Sequence, residues 1–145
     1  MTFQLPTDDS AFAKSVRRRV DEEYLAWLTA MGKQGMPQPA PVWFWWDQEA
    51  GNFLVYNQTL AKRLELIRLN EQVALNFDGY GTGFGIITFV GTAEITDDPP
   101  AHEHPAYLAK YQHWMTVKFG SPEKFAADFS VPLRVHPLKV RGSSA

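Results

Sequence analysis

Hydrophobic positions along this chain follow a helical period first and a strand period afterwards. Over residues 10 to about 23, Phe12, Val16 and Val20 recur at helical spacing, while Lys14, Arg17, Arg18 and Arg19 fall off that stripe. The segment therefore reads as an amphipathic helix laid across the rest of the fold. Asp21, Glu22 and Glu23 follow the three arginines at once and offer helical ion-pair partners, so the arginines read as a solvated face rather than a nucleic-acid patch. From Tyr24 onward short strands with turn signals between them are predicted over 24–31, 40–47, 53–57, 73–78 and 84–95, with a last strand over 131–140. The glycine-bearing stretches 32–35 and 48–52 are the hairpin loops, which makes the first three strands sequential neighbours in a meandering antiparallel barrel. In the last strand the alternation changes phase at His136-Pro137, the mark of a bulge or an edge position, and residues 142–145 read as a frayed tail.

Two segments between the strands are helical. Leu60, Leu64 and Ile67, with Leu66 and Leu69 beside them, form an apolar stripe flanked by Lys62, Arg63, Glu65 and Arg68, and Thr59 is the expected N-cap. Leu108, Tyr111, Met115 and Phe119 define a second helix over 105–119, and Ser121-Pro122-Glu123 starts a short third one with proline in its first turn. The whole reads as one mainly β domain with helices, spanning residues 1–145.

One strand breaks the alternation. Val42-Trp43-Phe44-Trp45-Trp46 is apolar throughout, so both of its faces need cover. One face can fill the barrel. The other is expected to take a partner chain, a planar ligand or both, in preference to the protein's own helices.

Composition narrows the chemistry. The chain has 145 residues, 45% hydrophobic and 14% aromatic, with 14 basic against 16 acidic side chains. This balance gives no field to draw nucleic acid or an anionic membrane, so an anion must be held locally. No apolar run is long enough to span a bilayer and the first residues carry no export signal, so a soluble, cytoplasmic protein is expected. The absence of cysteine excludes disulfides, thiolate metal sites and cysteine nucleophiles. His102, Glu103 and His104 form an HxEH run, but prolines bracket it and it reads as loop rather than metal site. His113 and His136 are isolated. Gly79–Gly85 joins two strands and opens no helix, which makes it a hairpin rather than a dinucleotide loop.

The strongest local signal is the strand-to-helix junction Tyr56-Asn57-Gln58-Thr59-Leu60-Ala61-Lys62-Arg63. A helix N-terminus presents free N–H groups and a positive dipole end, where cations are unfavourable unless an anion joins them. Lys62 and Arg63 are therefore either solvated or anion-binding.

The order PVWFWWD, FLVYNQTLAKRLELIRLN, QVALNFDG and ITFVGTAEI, with AYLAKY and SVPLRVHPLKVRG after it, resembles the pyridoxamine-phosphate-oxidase-like superfamily of split β-barrels, and within it the mycobacterial-type F-420-dependent branch. The resemblance runs from about Tyr24 to Gly142. It implies an antiparallel split β-barrel of FMN-binding type, a homodimer, and a flavin-type cofactor: coenzyme F-420 first, FMN as the alternative. The implied activity is reduction of small, flat, unsaturated or quinone-like compounds. A non-catalytic cofactor or tetrapyrrole binder is the third possibility. The family's phosphate-binding lysine falls on Lys62, with Gln58, Thr59, Ala61 and Arg63 around it; Tyr56 and Asn57 match positions at the ring edge and ribityl chain. Pro41, Val42 and Trp43 match the strand backbone beside the ring, and Tyr111, Trp114 and Lys118 are implied to complete the pocket from the neighbouring protomer. Trp43 and the partner's Trp114 are expected to form an aromatic wall for substrate. Pyridoxamine phosphate oxidases carry an arginine on the second strand and an Arg-Gln pair on the fifth, where this chain has Pro41-Val42-Trp43 and Gly85-Ile86. That departure speaks against vitamin B6 oxidation and suits the F-420 branch.

Overall fold

The computed structural model describes residues 2–143. Helix α1 (Ala11–Glu22) starts where the Ser10 hydroxyl accepts the Ala13 N–H at 3.1 Å. Seven strands follow: β1 (Ala26–Met31), β2 (Pro37–Val42), β3 (Trp45–Asp47), β4 (Asn52–Asn57), β5 (Gln72–Phe77), β6 (Ile87–Ile95) and β7 (Val131–Gly142). Helix α2 (Lys62–Leu69) lies between β4 and β5, and α3 (Pro105–Phe119) and α4 (Pro122–Asp128) between β6 and β7.

All pairings are antiparallel and the sheet order is β2-β1-β5-β6-β7-β4-β3. The terminal strands β2 and β3 are joined only by Trp43 and Phe44, so the sheet curls until its two ends meet, and the molecule is a split β-barrel. The expected strand over 40–47 is thus two strands. Its halves bond to different neighbours, β2 to β1 and β3 to β4, and the chain must bend between them. At the bend, strand pairing is replaced by side chains of α3. The Tyr111 hydroxyl accepts the Phe44 N–H at 2.9 Å and lies 2.9 Å from the Phe44 carbonyl, which also accepts from Lys110 Nζ at 2.9 Å. Burial holds the Lys110 amine down at about 7, against the opposing pull of Asp21 and Glu23.

Val42, Phe44 and Trp46 point into the barrel, among Leu28, Phe53, Val55, Phe77 and Phe89. Trp43 and Trp45 point the other way, onto a second cluster built by Leu54, Tyr56, Tyr107, Tyr111, Met115 and Phe125. The second face of the aromatic strand is therefore covered largely by the protein's own α3 and α4, contrary to the expected partner or ligand. Strand β4 is buried at every position for the same reason: it separates the barrel from the helical layer.

Other expectations change in detail. Arg19 is not solvated: it is 4% exposed and donates to the Asp78 and Gly85 carbonyls and to Glu23, fastening α1 to the β5–β6 loop. Residues 84–86 belong to that loop rather than to a strand, and Tyr24 precedes β1 and is half-exposed. Helix α2 starts at Lys62 with Ala61, not Thr59, as its cap residue, and Leu60 and Leu69 are exposed. The phase change in β7 is a bulge: Pro137 pairs Gly91 and Lys139 pairs Val90, leaving Leu138 extra. Gly91 sits against the His136 carbonyl there, where a Cβ would collide. In the expected frayed tail, Gly142 pairs Ile87 and Ser143 N–H bonds the Ile86 carbonyl, while 144–145 lie outside the described residues. Among the described residues no helix is long and apolar enough to cross a membrane.

Candidate functional site

The barrel is open on one side because β3 is short. Its pairing with β4 reaches only from Asp47↔Asn52 to Trp45↔Leu54, and beyond that point β4 continues through Tyr56 while the chain turns away into β2. The two strands diverge and leave a cleft of about 330 Å³, which is lined by Pro41, Val42 and Trp43 on one side and by Tyr56 and Arg63 on the other. Leu25, Lys118, Phe119, Phe125 and Phe129 complete it. The volume lies within the range of small-molecule sites, and the lining is apolar and aromatic with few polar groups, as such sites require.

The two charged lining residues, Arg63 and Lys118, are both cationic. Arg63 is the better fixed. Its Nε donates to Asn57 Oδ1 at 2.6 Å, and Asn57, fully buried, is held in turn by donation to the Val55 and Val131 carbonyls at 3.1 and 3.0 Å. No carboxylate lies within ion-pair distance of Arg63 among the described residues. Burial pulls its pKa below the ordinary arginine value, which states the same desolvation in another form. A half-buried guanidinium held by a neutral amide is open to an anion.

Tyr56 donates its hydroxyl to the Pro99 carbonyl, and burial with Asp98 nearby pushes its pKa well above the usual phenol value, so it stays protonated. Trp43 is half-buried where it lines the cleft. Its ring stacks on Tyr111 at 4.6 Å and 4° and on Phe125 at 5.0 Å and 17°, so much of the indole is engaged by the protein's own helical layer.

The residues of the expected site separate into groups. Pro41, Val42, Trp43, Tyr56, Arg63 and Lys118 meet in the cleft. Asn57 lies behind it and orients Arg63. Gln58 and Thr59 are exposed outside it, and Ala61 packs on the barrel core. Lys62 faces water, paired to Glu65 at 3.0 Å. Tyr111 is fully buried within the chain's own helical layer, while Trp114 is exposed on the outer face of α3. Leu25, Phe119, Phe125 and Phe129 were invisible as site residues because their patterns read as core. The HxEH run also has a structural task, since His104 Nδ1 accepts the Tyr107 N–H at 3.2 Å and caps α3.

The comparisons fix the ancestry of this arrangement. Residues 12–142 match the family model for pyridoxamine 5'-phosphate oxidase. The chain belongs to the pyridoxamine 5'-phosphate oxidase family. No curated protein matches it in sequence. Among solved structures, a conserved hypothetical protein of Mycobacterium tuberculosis aligns with a TM-score of 0.70 at 16% identity, over 99% of this chain and 91% of its own. An F-420 reductase aligns at 0.67 and 21% identity, over 86% of this chain and 94% of its own. The heme storage protein HutZ of Vibrio cholerae aligns at 0.62 and 17% identity, over 97% and 95%. At such identities the likeness is one of fold, and one barrel fold serves both a reductase and a heme storage protein.

Proposed function

We propose that this chain is a cofactor-dependent oxidoreductase that holds a flavin-type ring in the cleft between β2 and β4, with coenzyme F-420 preferred and FMN the alternative. The observation that carries the reading is Arg63: a guanidinium with no carboxylate partner among the described residues, opening into an apolar aromatic cleft whose other charged residue is also cationic. That chemistry suits a flat ligand with an anionic tail. Preference for F-420 rests on the apolar Pro41-Val42-Trp43 stretch, where FMN-holding members of the family place an arginine, and on the fold shared with an F-420 reductase. When bound, the ring would supply hydride transfer. The residues of the chain would bind its anion through Arg63 and Lys118, orient it along β2 and β4, and keep water out with Val42, Phe119 and Phe129. Small, flat, unsaturated or quinone-like compounds fit such a lining as substrates. A tetrapyrrole reading has less support, since the one common iron ligand in the lining is Tyr56, whose hydroxyl stays protonated and donates to the Pro99 carbonyl.

The cleft is also proposed to be completed by a second copy of the chain. Exposed Leu25 at its rim, and Trp114 and Val117 on the outer face of α3, are apolar side chains that a partner would cover.

Absorbance and fluorescence titration with F-420 and with FMN tests the reading. Arg63→Ala should weaken the ligand that binds by about 1.5–3 kcal/mol, as loss of a charge-assisted hydrogen bond requires. Lys62→Ala, which removes an exposed ion pair, should change it by about 1 kcal/mol or less. An equal or larger loss at Lys62 would move the anion site to the helix N-terminus that the family resemblance implies.

A further inference from the structure

Strand β2 reads Pro37-Gln38-Pro39-Ala40-Pro41-Val42, with proline at every second position. Its register on β1 pairs Pro37 with Met31, Pro39 with Thr29 and Pro41 with Trp27. The hydrogen-bond phase is fixed just before the strand, where Gly32 N–H bonds the Met36 carbonyl at 2.7 Å. Bonded and non-bonded pairs alternate in an antiparallel ladder, so all three prolines fall at non-bonded positions, where the backbone groups point away from β1. β2 is the last strand of the sheet on that side. Its free edge therefore carries carbonyls of Pro37, Pro39 and Pro41 and no N–H from any of these residues. Pro41 is the member of this row that lines the cleft.

The opposite side of the cleft differs. Tyr56 pairs with Pro132 on β7, again a non-bonded position, so the Tyr56 N–H and carbonyl both point away from β7, toward the side that β3 has already left. One wall of the cleft thus offers a donor and an acceptor. The other, along β2, can only accept.

We propose that the acceptor-only edge of β2 is a specificity device: the cleft selects ring systems that present an N–H along β2, where the Pro41 carbonyl takes the hydrogen, and discriminates against rings whose edge carries only acceptors or an N-alkyl group. This deepens the cofactor reading and rests on it. The imide N–H that flavins and deazaflavins share is the donor of the right class. Peptide N–H groups at this edge would have tolerated an acceptor edge as well; three alternating prolines remove that tolerance.

The test uses the full chain. F-420 and FMN are titrated first, and the one that binds is compared with its N3-methyl derivative. Methylation is expected to weaken binding at least tenfold. In protein labelled with carbonyl-13C proline, the Pro41 resonance should shift on adding the parent ring and stay in place with excess methyl derivative. If the parent binds and the methyl derivative binds within twofold of it, or the Pro41 carbonyl does not respond to the parent, the specificity proposal is overturned while the cofactor site stands. If neither F-420 nor FMN binds, the cofactor reading itself fails and this inference falls with it.

Discussion

Trp43 joins the bend between β2 and β3 to the rings of the helical layer. In the sequence it is one of a run of aromatic residues with no polar neighbour, and a ligand-facing role is a reasonable expectation. In the fold its indole stacks on Tyr111 and on Phe125, with Phe119 edge-on at 6.0 Å. Trp43→Ala should accordingly cost about 3–5 kcal/mol of stability, the usual loss for emptying a large aromatic site in a core. Urea unfolding followed by circular dichroism reads this directly, and a loss below about 1 kcal/mol would show that this packing is not held in solution. Arg19 moved in the opposite direction. Its place off the apolar stripe of α1 suggested solvent, and only the distant Asp78 and Gly85 carbonyls explain its burial. No local pattern contains that information, because both acceptors are backbone atoms far along the chain.

At the scale of the elements, what was legible follows periodicity and capping. The first helix, the two late helices and the positions of most strands along the chain could be read because Ser10 and Ser121 are N-caps and the apolar spacing is regular, whereas the pairings of β1 with β5 and of β4 with β7 depart from the expected meander. The β2–β3 break could not, since neither Trp43 nor Phe44 is a breaker; the bend is imposed by closure of the barrel and tolerated because Tyr111 and Lys110 serve the Phe44 peptide. The exposure of Leu60 and Leu69 was equally hidden, because α2 is short and only its middle meets the core. Six residues of the cleft were named from sequence, Arg63 and the aromatic strand by local pattern as well as by family resemblance and the rest by resemblance alone, whereas the phenylalanines of α3 and α4 carry no signal other than burial.

Helix α3 also makes stability depend on pH. His104 caps it through Nδ1 as an acceptor, a task only the neutral ring can perform. Burial, and next the Arg134 charge, hold its pKa below the reference of 6.5. The unfolded chain therefore takes up its proton first as pH falls. Stability from this group is complete above about 6.5 and is lost progressively as pH drops from there through the folded-state value. His104→Asn keeps a capping acceptor but removes the titration, so the variant should lose less stability than the parent between pH 7 and 5. Melting temperatures across that range, identical in slope for the two proteins, would remove His104 from this role.

For the whole molecule, the pairing of a split barrel with a one-sided helical layer leaves part of the sheet without helices. Thr29, Met31, Ala74, Val90 and Thr92 lie there around a shallow depression beside exposed Leu138. Together with the apolar outer face of α3, this is the surface on which a two-fold partner would be sought. Light scattering of the purified protein at micromolar concentration should give the mass of a dimer; a monomer there would leave the cleft to be completed by one chain alone.

The prolines of β2 have a consequence for the company the molecule keeps in concentrated solution. A sheet that ends in an unprotected strand invites other copies to add to it, and growth of that kind needs N–H and carbonyl groups in alternation. This barrel ends in a row that offers half of the required pairs, so a foreign strand laid along it would leave its own carbonyls facing the proline rings of Pro37 and Pro39, with no N–H to accept. Replacing both by threonine would restore the missing donors on an exposed edge. The variant should keep its fold yet form thioflavin-positive or sedimenting assemblies sooner than the parent on prolonged warming, whereas unchanged lag times would mean that something else keeps the edge closed to its neighbours.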